Sequence, residues 1–251
     1  GVWHIVDCMG VCMTLLEGEN AARLVDTGYG IEDVADFMRH MTDLPLTVFL
    51  THNHHDHAMG ARCFPETYML EADMADWRMF TDDKMRRRVL TQAIGKNLPV
   101  DEKTFLAGEI PLPKVMKPGV IDLGGLTAEI IEAPGHTPGS AVVYVPERKL
   151  LLSGDDWNPC TWLFFPQALG LREYRSNMRG IQQLPFEKVL CPHREALYDR
   201  WMFDDFFNAL TDGNLRAAEP VNIAPYEQID TCQATLPHDQ VLVFDWAKSG
   251  L

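Results

Sequence analysis

Between Thr51 and Ala61 the chain reads THNHHDHAMGA, with four histidines and an aspartate in six consecutive positions. Imidazoles are neither strong helix formers nor good core filler, and crowding them makes protonation of any one costly. Such a run persists only where something holds the rings together, and a divalent metal ion is the partner that suits neutral imidazole and carboxylate. The constraint on the fold is direct. Several side chains must converge on one point, which a loop leaving a strand end achieves without helical periodicity. The apolar run Thr47 to Leu50 immediately before is read as that strand.

His52, His54, Asp56 and His57 make the pattern H-x-H-x-D-H. Four donors do not complete a two-metal site, so further ligands are expected downstream. EAPGHTPGS places His136 in a Gly/Pro-rich turn between strand-like runs, LLLSGDD places Asp155 at a strand end, and VLCPHRE places His193 at another. Each alone is ordinary, since a lone His or a strand-end Asp usually serves a turn or a cap. In this order they read as one donor set. Zinc fits it, and iron or manganese fit the same donors. His4, His40 and His238 lie outside any motif and are read as surface or core residues, while His55 alternates with the donors and is expected to point away from them, at most lining a pocket mouth.

Short apolar runs rich in β-branched residues read as strands: Val11 to Leu16, Ala22 to Val25, Thr47 to Leu50, Thr127 to Ile131, Ala141 to Val145, Leu150 to Leu152, Lys188 to Leu190 and Val241 to Phe244. Helical spacing covers Ile31 to Met41, Arg172 to Leu184 and Leu197 to Leu210. Their irregular alternation points to a layered α/β architecture, and 251 residues without repeat or linker are read as one domain, 1–251. Along the last helix Leu197, Trp201, Phe206, Phe207 and Leu210 are read as core-facing, with a homodimer contact as the alternative. Residues of about 70–119 stand apart as an insertion. They begin with a helical pattern (Met74, Trp77, Met79, Phe80, Met85), end in the Pro-punctuated EIPLPKVMKPG, and either cover a pocket or only pack. Residues of about 195–251 supply a C-terminal helix and strand.

A formal charge of −14, from 36 acidic and 22 basic residues, is a poor match to a phosphate backbone, so a small molecule is expected as substrate and nucleic acid is not. No run approaches the roughly 18–20 apolar residues of a membrane span. The basic cluster Arg86 to Arg88, after Lys84, reads as a solvated helix face. Cys8, Cys12, Cys63, Cys160, Cys191 and Cys232 contain no C-x-x-C pair and read as free thiols of a reducing compartment. With no signal-like stretch at the start, the cytoplasm is the default location, an upstream segment being left open.

The motifs resemble those of the metallo-β-lactamase superfamily: RLVDTGYG with Asp26, the H-x-H-x-D-H loop, His136 in PGHTPGS, Asp155 after Gly154, and His193. The resemblance implies an αββα sandwich of two mixed β-sheets flanked by helices, with metals at the edge where strand-end loops meet. It also implies a partition in which His52, His54 and His136 hold the first metal, Asp56, His57 and His193 the second, and Asp155 bridges them, Asp26 being structural. Two dications about 3.5–4 Å apart repel, and a bridging carboxylate and hydroxide relieve that repulsion while bringing the water pKa toward neutrality. The expected chemistry is attack of that hydroxide on the carbonyl of an ester, thioester, lactone or amide, one metal polarising the oxygen, the other stabilising the leaving group, and Asp56 relaying the proton.

Retention of both His57 and Asp155 resembles the glyoxalase II, lactonase and general hydrolase branches more than class B β-lactamases, although β-lactamase activity stays an alternative. The di-iron oxidase branch carries a Glu where His54 stands, lactonases a Tyr where Asn158 stands, and the glutathione-binding set of glyoxalase II is not found. After Asp155 comes DWNPCTWLFF, whose Trp157, Trp162, Phe164 and Phe165 suit either an apolar pocket wall or core packing. Tyr29, Tyr68 and Asn158 are candidate donors to a developing oxyanion. Two rivals remain: an oxidoreductase resembling the mononuclear-iron persulfide dioxygenases, and a non-catalytic metal-stabilised scaffold.

Overall fold

Two six-stranded sheets lie face to face in the computed structural model, which describes all residues from Gly1 to Leu251. The first sheet runs Val2–Val6, Cys12–Glu17, Ala22–Val25, Leu46–Phe49, Tyr68–Met69, Lys114–Val115. It is antiparallel through Ala22–Val25 and parallel beyond. The second runs Gly119–Asp122, Thr127–Glu132, Ala141–Val145, Leu150–Leu152, Lys188–Leu190, Tyr198–Asp199, and only its Leu150–Leu152 to Lys188–Leu190 pairing is parallel.

The central strands are mostly apolar because both of their faces are covered. Side chains alternate along each strand. Leu16, Val25 and Phe49 of the first sheet meet Val143, Val145 and Leu152 of the second in an inner core. The intervening residues Leu15, Leu24 and Val48 face outward onto Met38, Trp77 and Val89 of the helices over the first sheet. On the far side Val142, Leu151 and Val189 face Met178, Phe203 and Phe206. This is the expected αββα sandwich, helices outermost on both sides.

Helix Leu171–Ile181 buries Leu171, Tyr174, Met178 and Ile181, a single stripe at helical spacing. The expected stripe over Leu197 to Leu210 needs correction. Leu197 precedes the short strand Tyr198–Asp199, helix Arg200–Ala209 turns Phe203 and Phe206 inward, and Leu197 and Trp201 are exposed. Residues 70–119 form the helical segments Glu71–Asp73, Trp77–Thr81, Asp83–Gly95 and Glu102–Phe105 before the chain returns to the first sheet at Lys114–Val115. No helix is long and apolar enough to cross a membrane.

A third, four-stranded sheet was not foreseen. Cys160–Leu163 pairs in parallel with Gln240–Asp245, which continues antiparallel to Thr231–Leu236 and then Glu219–Pro220. It brings the C-terminal residues beside the loops at the strand ends.

Candidate metal centre

The His-rich run leaves strand Leu46–Phe49 and enters the one-turn helix His55–Ala58. Thr27 fixes its path by donating both N–H and Oγ1–H to His57 O at 2.8 Å. Gly60 is required just beyond, because a Cβ there would collide with the Thr27 carbonyl. Asp26, at the end of strand Ala22–Val25 and in the left-handed region at φ 63°, turns its carboxylate beneath the loop. On the second sheet, Gly154 at φ 52° follows strand Leu150–Leu152 and presents Asp155.

All seven expected donors converge, and their atoms fall into the groups His52/His54/His136, His52/His57/Asp155 and Asp56/His57/His193. His136 Nε2 lies 2.8 Å from His54 Nδ1. Asp155 Oδ2 is 3.0 Å from His193 Nε2 and 3.5 Å from Nε2 of both His57 and His136. Asp56 Oδ2 is 3.7 Å from His57 Nε2 and 3.8 Å from His193 Nε2. Donors about 2.0–2.1 Å from a tetrahedral zinc lie about 3.3 Å apart, so these groups are spaced closely enough to hold a divalent ion.

Hydrogen bonding fits that role. His52 Nδ1 pairs with Thr51 Oγ1 at 3.0 Å, His57 Nδ1 with Asp26 Oδ2 at 3.0 Å, and His136 Nδ1 with Trp162 O at 2.6 Å. His54 turns its Nε2 to the Gln167 amide at 2.6 Å, which presents its oxygen there when Nδ1 is the coordinating atom. Each of these rings is thus oriented through the nitrogen that faces away from the cluster. His52 Nε2, His57 Nε2 and Asp155 Oδ1 are buried without a hydrogen-bond partner, which a dication would supply.

The cluster forms the floor of a cleft of about 470 Å³. Phe165 packs against His54 and His136 with ring centroids 4.8 and 5.4 Å away, Phe80 lies 4.5 Å from His54, and Trp162 and Tyr226 extend the apolar wall. Tyr29, Asn158 and His55 also line it, His55 at the mouth, 5.5 Å edge-on to Tyr29. Trp157 and Phe164 do not. Both are fully buried; the Trp157 indole donates to Gln240 Oε1 and packs on Phe203, and Phe164 lies beneath Phe165. Their strand-end position is compatible with a wall, but alternation sends Cys160 and Trp162 to the cleft and the next strand residue, Leu163, to the core. Tyr68 lies on the strand next to the sheet edge, bonded to Glu66, and does not line the cleft. His4, His40 and His238 are outside it, bonded to Thr14, Asp36 O and Asp205.

The family model described as Metallo-beta-lactamase superfamily matches residues 6–193. The chain belongs to this superfamily. An acyl-coenzyme A thioesterase, MBLAC2, from Gallus gallus is 26% identical over 202 residues, covering 71% of this chain and 70% of that protein. The metallo-beta-lactamase family protein TTHA1429 from Thermus thermophilus superposes with TM-score 0.61 at 19% identity, over 86% of this chain and 80% of that one. The archaeal superfamily protein ST1585 from Sulfolobus tokodaii gives 0.57 at 17% identity, over 91% and 92%. These structures share the fold, and with the donor cluster the family identifies a metal-dependent hydrolase.

Charge is distributed across this metallo-β-lactamase site in two halves. Burial, followed by the neighbouring rings, lowers the pKa of His52 and His54 well below the ordinary imidazole value, and burial lowers His136 as well. These rings are neutral and ready to coordinate. For His57 burial works in the same direction, but the carboxylates of Asp155, Asp56 and Asp26 outweigh it and raise the pKa. Asp56 is pulled down to about 2 against its burial by the imidazoles of His57, His55 and His193. Tyr29 is shifted upward by burial and by Asp56, Asp7 and Asp155, so its phenol stays a donor at neutral pH.

Proposed function

We propose that the chain hydrolyses acyl thioesters at a dinuclear centre, with His52, His54 and His136 on one divalent ion, Asp56, His57 and His193 on the other, and Asp155 between them. Zinc is the ion this nitrogen and carboxylate set suits best. One observation carries the reading: Asp155 Oδ2 reaches three histidines from three separate segments at the floor of an apolar-walled cleft. The thioester class is supported by the Gallus gallus relative, an acyl-coenzyme A thioesterase, and by a wall of Phe80, Phe165, Trp162 and Tyr226 suited to an acyl chain.

When bound, the metal pair supplies Lewis acidity and a water acidic enough to act as nucleophile near neutral pH. The chain's own residues do the rest. Phe80 and Phe165, packed on His54, exclude water and hold the acyl chain beside the cluster. Tyr29 and Asn158 stand at the cleft to donate to the carbonyl oxygen as charge develops there. Asp56 and Asp155 are the catalytic carboxylates. Asp56, held ionised, takes a proton only in passing and hands it to solvent. In the net reaction a C–O bond forms and the C–S bond breaks, sulfur takes up one proton, and the acid leaves as its carboxylate. Phe80, Arg88 and Gln92, from the insertion of about 70–119, line the cleft, which supports a part for the insertion in substrate binding.

The deciding experiment is elemental mass spectrometry on untagged protein, joined to an ester, thioester, lactone and β-lactam panel with a chelator control. Two zinc ions per chain, preferred thioester turnover, and its loss in Asp155→Ala and His57→Ala are expected. One iron with oxygen consumption would overturn the reading in favour of persulfide chemistry, and no metal would leave only a scaffold.

A further inference from the structure

The expected solvated face Arg86 to Arg88 divides three ways. Arg86 is buried and bonded to backbone carbonyls, Arg87 faces solvent, and Arg88 lines the cleft together with Gln92, one turn further along helix Asp83–Gly95. A second guanidinium, Arg194, follows directly on His193 and lines the same cleft. Its backbone is fixed by His4, whose Nε2 lies 3.1 Å from Arg194 O, and its Nη1 donates to His193 O at 2.8 Å. Neither Arg88 nor Arg194 has a carboxylate partner, so both charges at the cleft stand uncompensated by an ion pair.

Two guanidiniums without a carboxylate partner at one cleft run against the field of a chain carrying −14. Their placement is also one-sided. The aromatic rings pack on His54 and His136, whereas Arg194 adjoins His193 and Arg88 lines the cleft with Tyr29 and His55. The cleft therefore has an apolar end over one donor group and a cationic end over the other.

We propose that Arg88 and Arg194 determine specificity by binding the negative charge of the thiol half of the substrate, so that the thioester lies with its acyl chain on Phe80 and Phe165 and its anionic leaving group toward His193. The proposal rests on the thioester reading above. Phosphate and carboxylate present the same chemistry to a guanidinium, and a thiol bearing either is the expected leaving group.

The test compares octanoyl-coenzyme A, whose thiol half carries phosphates, S-octanoyl-mercaptosuccinate, whose thiol half carries carboxylates, and neutral octanoyl-N-acetylcysteamine. Arg88→Gln and Arg194→Gln should each lower kcat/KM for an anionic substrate about fivefold to tenfold relative to the neutral one, through KM rather than kcat. The anionic substrate more strongly affected identifies phosphate or carboxylate as the group bound. Calorimetric binding of the thioether S-octyl-coenzyme A is the readout independent of turnover, and should weaken in both variants and at high ionic strength. Equal losses on charged and neutral substrates, or unchanged thioether binding, would overturn the assignment while leaving thioester hydrolysis intact. Arginine-dependent thioether binding without any thioester turnover would uphold the clamp and remove the thioester reading instead.

Discussion

Asp26 Oδ2 lies 3.0 Å from His57 Nδ1 in a pocket closed to solvent, while Oδ1 of the same carboxylate accepts the Thr51 amide at 2.7 Å. One side chain thus anchors both ends of the His-rich loop, and Thr51 Oγ1 passes the connection on to His52.

Asp26→Asn tolerates the left-handed backbone but places an amide donor against either the Thr51 N–H or His57 Nδ1. Metal affinity should fall about 10- to 100-fold with the fold kept, measured by competition with a chromogenic chelator. Asp26→Ala leaves several buried donors without an acceptor and should cost about 2–4 kcal/mol in urea unfolding. Wild-type metal affinity in the Asn variant would show that the orientation of His57 does not depend on this carboxylate.

Metal removal has a stability signature of its own. Three donor-side atoms, His52 Nε2, His57 Nε2 and Asp155 Oδ1, have no hydrogen-bond partner, and an ion that binds only the native state stabilises it by about 4 kcal/mol at a free concentration a thousand times its Kd. Stripping with chelator should lower Tm, and zinc at fixed free concentration should restore it. A Tm indifferent to both would argue against a metal at the cluster.

Burial of Arg86 makes a sharp contrast with its neighbour. It donates to Gly108 O at 2.6 Å and Ala107 O at 3.3 Å and also caps Phe105 O, tying helix Asp83–Gly95 to the loop beyond Glu102–Phe105. Arg86→Ala should destabilise by about 3 kcal/mol, because the carbonyls are left unpaired, whereas Arg87→Ala should stay within about 0.5 kcal/mol. Equilibrium unfolding of the two variants side by side tests this.

The apolar wall predicts a dependence on chain length. Phe165→Ala should cut kcat/KM about tenfold to a hundredfold for an octanoyl substrate and by less than about threefold for the acetyl homologue, following the contact area lost. Parallel losses for both chains would mean that Phe165 acts by packing His54 and His136 rather than by holding substrate.

Burial pushes the Cys12 thiol up from its ordinary 9.0 to about 11, with Glu195 and Asp7 adding to the shift. The native state then binds this proton more firmly than the unfolded state. Its contribution is present in full below pH 9 and is lost as pH rises toward 11, so a Cys12→Ala variant should show a shallower loss of stability across that window. At pH 8 Cys12 should also resist iodoacetamide until denaturant is added.

The donor set was legible because each member sits where a strand run ends, and the eight strands named from apolar runs all occur, most within a residue of their expected ends. Other parts carried no such signal. Val2–Val6 has no fully buried position, and Thr231–Leu236 reads TCQATL, its core side marked only by Cys232, Ala234 and Leu236. Gln167 holds His54 as a lone glutamine in a loop, a residue type that usually means nothing. Tyr226 and Arg194 gain significance only from the tertiary structure that brings them to the cleft. In DWNPCTWLFF, the division into core and wall depends on a strand whose partner lies about eighty residues later.

Strand Cys160–Leu163 lies at the edge of the third sheet and shares its ladder with the C-terminal hairpin rather than with either sheet that carries the donors, which it touches through the Trp162 carbonyl on His136. A chimaera exchanging this hairpin and its preceding loop, from Glu219 to Asp245, would therefore remodel one rim of the cleft while leaving the inherited reaction chemistry in place. Such an arrangement lets selection, or a laboratory library, retune what is hydrolysed independently of how.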